Sequence, residues 1–76
     1  MNIKDKLQEI FRDVFDDAEI ILFDEMTSED VEDWDSLTHI TLINDIEAQF
    51  HIRFTTEEMI GTKNVGEFIR LIEGKL

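Results

Sequence analysis

The sequence contains no cysteine, which leaves no disulfide framework, no thiolate zinc site and no thiol redox role. Proline is absent as well, and the three glycines form no phosphate-cradling loop. Basic residues are scarce: seven Lys and Arg stand against 19 Asp and Glu, for a formal net charge of -12. That balance excludes nucleic acid as a partner, because phosphate binding needs clustered cations. The longest uninterrupted apolar run is Ile20 to Phe23, too short to span a bilayer, so no membrane insertion is expected. The start, MNIKDKLQEI, places acids at Asp5 and Glu9 and has no apolar h-region, unlike a signal peptide. A cytoplasmic protein is expected. With 76 residues the chain makes one small domain, residues 1–76, and cannot wall off a large catalytic cleft.

Hydrophobic residues nevertheless make up 42% of the chain and recur periodically, so it folds. The core is small and the stability correspondingly marginal. Repulsion among the acids lowers it further and makes it salt-dependent.

Ile3, Leu7, Ile10, Phe11, Val14 and Phe15 recur at spacings of three and four, which predicts an amphipathic helix over residues 2–15 with Asn2 as its N-cap. Residues 16–35 break the period and hold ten acids and no base. They read as a long loop with a helical turn near Asp17 to Leu22. Ile20, Leu22, Phe23, Met26, Val31 and Trp34 are available to tack it onto the core. The plain reading of the charge run is a solvated face.

Asp35 is a good N-cap for a helix over residues 36–50. At about 100° per residue, Leu42, Ile43, Ile46 and Phe50 share one stripe with His39. Leu37 points away from that stripe, with Thr41, Asn44 and Ala48 beside it, and Ile40 also lies off it. Asp45 and Glu47 flank this outer face. Residues 51–54 read as extended. Thr55 with Glu58, and Asn64 with Glu67, have capping-box spacing. They open a brief helix that Gly61 stops and a last helix to about Glu73, with Val65, Phe68, Ile69 and Ile72 inward and Gly74 as C′ residue. The fold class expected is all-α: a small four-helix bundle of three main helices and one short one, with a long acidic loop between the first and second.

Chemistry has few places to sit. His39 follows Ser36 by three positions, which makes a Ser–His pair conceivable. No glycine-amide oxyanion hole accompanies it, and a boundary histidine is the stronger reading. The crossover acids lack the central glycine of a calcium loop, so only weak cation screening and no metal site is expected. Asp35-Ser36-Leu37 is more informative. Capping alone accounts for Asp35. Ser36, however, falls at the first helical position, where the helix dipole favours an attached phosphate. Leu37 and Ile40 beside it form an exposed apolar pair, as a docking surface would.

The string DSL after an acidic crossover, followed by LINDIEAQF, HIRFTTEEM and NVGEFIRLI, resembles the acyl carrier proteins over essentially the whole chain. The resemblance implies no catalytic residue. It implies that Ser36 receives 4′-phosphopantetheine from coenzyme A, through a phosphopantetheinyl transferase that reads Asp35 and Leu37. The arm would carry acyl groups as thioesters. A docking face of Ile40, Thr41, Asn44, Asp45 and Glu47 would then meet acyl-loading and acyl-processing enzymes through their basic patches. Ile46, Phe54, Met59 and Ile60 are candidates to line an acyl chain, although ordinary core is the simpler reading for them. Members of fatty-acid synthesis look like DSLDTVEL here. Thr38 and Thr41 stand where acids are usual, and Trp34 stands where a small residue is usual. The WDSL form is similar to stand-alone carriers of polyketide, modified-sugar or cell-envelope pathways. A monomer is expected. The alternatives are a small acidic adaptor without a prosthetic group and a peptidyl or D-alanyl-type carrier.

Overall fold

The computed structural model describes residues 2–76. Among them it has four helices and no strand: α1 (Ile3–Phe15), α2 (Ser36–Phe50), α3 (Thr56–Gly61) and α4 (Val65–Lys75). The Asn2 side chain accepts the Lys4 N–H at 2.8 Å and so opens α1 as expected. Leu7, Ile10, Phe11 and Phe15 are buried along its apolar face. α1 ends on Asp16, whose φ of 51° puts it in the left-handed region and returns its N–H to Arg12. α2 ends the same way on His51, with φ 58°. Asp and His are among the few non-glycine residues found there with any frequency.

The crossover, residues 16–35, contains no helix. It advances by single hydrogen-bonded turns, closed by Ile20 to Asp17, Met26 to Phe23, Asp30 to Thr27 and Trp34 to Val31. The helical turn expected near Asp17 to Leu22 is reduced to the first of these, because α1 side chains take the polar groups that a helix would pair. Arg12 Nε donates to the Ile20 carbonyl at 2.9 Å, and the Leu22 N–H donates to Gln8 Oε1 at 2.9 Å. From the other side, α4 offers the unpaired N–H groups of its first turn. Val65 donates to the Met26 carbonyl at 3.1 Å and Gly66 to the Asp24 carbonyl at 2.9 Å. A Cβ on residue 66 would stand 3.2 Å from that Asp24 oxygen, which accounts for glycine at this close approach.

Ile20, Leu22, Met26 and Trp34 are buried as the loop's anchors, and Val31 is half-buried. Phe23 does not join them; it is exposed, as is Ile21, because burying Leu22 turns both neighbours outward. Trp34 goes deep, edge-on to Phe11 at 5.3 Å and stacked on Phe68 at 6.3 Å. It therefore belongs to the core, with only 5% of its surface exposed. α1 packs chiefly on α2 and also on α4.

Residues 51–54 pair with no strand; Ile52 and Phe54 point inward and Arg53 outward. Thr55 and Glu58 form the reciprocal cap of α3. At α4 only half of the expected box is made: Asn64 accepts from Glu67, but the Glu67 carboxylate takes the N–H of Lys63 instead of Asn64. Gly74 is not a C′ residue. α4 runs on through it to Lys75, whose ammonium pairs with Glu58 at 2.9 Å and lies 5.7 Å from the Phe54 ring centre. Those contacts tie the last turn down and outweigh the glycine's tendency to end it.

All ten crossover acids are exposed, and among the described residues only Asp24 of these reaches a cation, Lys4 at 3.5 Å. Raising NaCl or adding Mg²⁺ should therefore raise the melting temperature, measured by circular dichroism. A melting temperature indifferent to salt would remove self-repulsion as the main liability of the fold.

Candidate functional site

The site grows from the start of α2. Asp35 Oδ1 accepts the N–H groups of Leu37 and Thr38, both at 3.0 Å. Thr38 closes the cap from the opposite side: its Oγ1 accepts the Asp35 N–H at 2.8 Å and donates to the Asp33 carbonyl at 2.7 Å. This hydroxyl does the work that a glutamate side chain does in the common form of the box. In the sequence Thr38 stands out only as a missing acid. The Asp35-x-x-Thr38 spacing was the available signal. The N–H of Thr38, with help from its hydroxyl and from Leu37, holds the Asp35 carboxyl below its ordinary value of 3.8. At the start of α3 the Thr55 N–H, and then Lys75, likewise lower Glu58.

Because the cap uses residues 35, 37 and 38, Ser36 Oγ stays outside it and is exposed at the first helical position. Leu37 is 75% exposed and Ile40 55%. Across a groove of about 650 Å³, Ile60 of α3 is 75% exposed. The groove runs from Ser36 past Ile40 to Met59, Ile60 and Lys63, with Trp34 and His39 beneath. Met59 and Ile60 thus border it. Ile46 and Phe54 do not; both are buried in the core.

The outer face of α2 divides. Thr41 and Asn44 are exposed, and Thr41 Oγ1 turns back on the Leu37 carbonyl at 3.3 Å. Asp45 is half-buried in a second groove with Asp13 and Val14 of α1. Glu47 is half-buried too, and its Oε2 accepts the Phe54 N–H at 2.7 Å, so it fastens the segment after α2.

His39 is part of a chain of hydrogen bonds that sequence reading did not find. Trp34 Nε1 donates to His39 Nδ1 at 3.0 Å, and His39 Nε2 lies 2.8 Å from the Met59 carbonyl. Both ring nitrogens are engaged, so neither is free to activate Ser36, and a Ser–His dyad is not formed. A donor-only indole five positions before a histidine on the buried stripe was the one hint in the sequence.

The family described as phosphopantetheine attachment site matches residues 5–72. A solution NMR structure of a holo acyl carrier protein from Geobacter metallireducens is 41% identical, with a TM-score of 0.91 over 99% of this chain and 86% of that one. No curated protein matches the chain.

The Asp35 cap has a testable pH signature. A carboxyl whose folded pKa lies below 3.8 stabilises the fold above that value and loses the contribution as pH falls through the folded pKa. Asp35→Asn, which keeps an acceptor but no charge, should flatten the difference from wild type in acid, below about pH 4. The measurement is the melting temperature of both proteins from neutral pH downward; parallel curves would show that the charge of Asp35 is not what caps α2.

Proposed function

The chain belongs to the phosphopantetheine-attachment family, as an acyl carrier protein and not an enzyme, and from that premise we propose that Ser36 bears its 4′-phosphopantetheine. The observation that carries this reading is an exposed serine hydroxyl left outside its own helix cap, at the mouth of an open groove. The residues present suit the group. The positive end of α2 favours a phosphate on Ser36, and Lys63 is a cation on the groove's rim. The bound group supplies a terminal thiol on which acyl cargo rides as a thioester.

This chain's residues contribute positioning. The Asp35–Thr38 cap fixes where α2 begins and therefore where Ser36 Oγ stands. Leu37 and Ile40 offer apolar contact to the phosphopantetheinyl transferase and to acyl-processing enzymes. Thr41 and Asn44 extend that face. The acids of the crossover steer basic partners at long range, which favours quick, weak encounters. Asp35 is exposed beside Leu37 and can be read by the transferase. Asp45 and Glu47 add negative charge at the edge of this face, with Glu47 tied to the Phe54 N–H as well. A tethered arm raises the effective concentration of its cargo at a docked enzyme.

The reading extends to residues 1–76 as one carrier domain, acting as a cytoplasmic monomer. Among the described residues no helix is long and apolar enough to cross a membrane. Thr38 and Thr41, where acids are usual, together with Trp34 before the serine, favour a specialised pathway over housekeeping fatty-acid synthesis.

Incubation with coenzyme A and a broad-specificity phosphopantetheinyl transferase should add the mass of one phosphopantetheine, and Ser36→Ala should abolish the gain. No gain with several transferases would favour an adaptor without a prosthetic group. Leu37→Ala should slow modification while leaving the melting temperature nearly unchanged, because it trims an exposed side chain and keeps the backbone N–H that Asp35 accepts. A large drop in melting temperature would show that Leu37 supports the fold.

A further inference from the structure

The groove beside Ser36 has a floor. An indole N–H can only donate, so His39 Nδ1 accepts from Trp34 and carries no proton. The ring's single proton then sits on Nε2 and is donated to the Met59 carbonyl. His39 thereby bridges α2, where it resides, to the crossover on one side and to α3 on the other. Its ring lies edge to edge with that of Trp34, with centres 6.1 Å apart and planes 16° from parallel, and both rings pack on Phe68 at 5.7 and 6.3 Å. The seam between α2 and α3 is therefore filled by aromatic rings whose polar atoms are all paired. Ile46 and Phe54 lie buried beyond it and reach the groove nowhere. Opening a path to them would strand a buried indole N–H and a backbone carbonyl.

We infer that His39 is a specificity-determining residue of the carrier: by bridging Trp34 and Met59 it bars an acyl chain from the core and confines the cargo to the outer groove. The inference rests on Ser36 as the attachment site. It assigns the cargo to short or polar acyl groups. A long alkyl chain gains from burial in proportion to its area. Here such a chain meets an open groove, edged by Ile40, Met59 and Ile60 over Trp34 and His39, which leaves one side of it in water.

The test loads Ser36 with butyryl- or octanoyl-phosphopantetheine from the matching acyl-coenzyme A, with intact mass confirming each product. Melting temperature and the rate of thioester cleavage by hydroxylamine are then compared. The native protein should show the same melting temperature and the same cleavage rate for both chains. His39→Ala should make the octanoyl form melt higher and cleave several-fold more slowly than the butyryl form. His39→Gln, which presents one acceptor and one donor on a single side chain, should behave as the native protein does. A native protein already stabilised and protected by the octanoyl chain overturns the inference, and so does a His39→Ala variant indifferent to chain length. The unmodified protein gives an independent reading. Nitrogen NMR should find the Nε2–H tautomer of His39 and a slowly exchanging Trp34 indole N–H. An Nδ1–H tautomer or a freely exchanging indole also overturns the inference. A missing mass gain would instead reject Ser36 as the attachment site, and the NMR measurement would still judge the bridge.

Discussion

Asp35 and Thr38 hold the first turn of α2 between them, and the position of the Ser36 hydroxyl follows from that grip. A helix start is a place where backbone N–H groups lack partners. Asp35 supplies the acceptor for two of them, and Thr38 returns the favour to the Asp35 N–H. The residue between Asp35 and Leu37 is then held in helical geometry without spending its own side chain. A serine there is fixed at Cα and free at Oγ, which is what a tether point requires. The same cap sends Leu37 outward and His39 inward.

A second constraint is the length of the crossover. Twenty residues of loop carrying ten acids (positions 16–35) would drift if only their apolar side chains held them. Polar groups from both neighbouring helices do the rest. Arg12 and Gln8 take loop backbone groups on the α1 side, and Val65 and Gly66 take them on the α4 side. With the backbone secured at these points, every acid can face water. On the proposed function, the charge expected to weaken the fold is also the charge that partners meet first.

Periodicity located α1, α2 and the inward residues of α4, since a stripe at helical spacing has one way to be buried. Asn2, Asp35 and Thr55 were legible as caps because their acceptors act within three residues. Sequence and structure part where a distant contact competes with a local preference. Gly74 looked like a helix end, but Lys75 is drawn onto Glu58 and Phe54. Phe23 looked like an anchor, but Leu22 took the inward place and its alternation put Phe23 outside. Glu47 read as a surface acid until the Phe54 N–H claimed it.

Local order, then, was written in the chain: which segments are helical, where they begin, and that a serine beside an exposed leucine stands at one such beginning. Those features depend on neighbours within a turn or two, and spacing records them. The bridge from Trp34 through His39 to Met59, and the closed floor it gives the groove, joins residues up to 25 positions apart on three separate segments. No spacing rule carries that information. It exists only once packing on Phe68 has brought the indole, the imidazole and the α3 carbonyl within hydrogen-bonding distance.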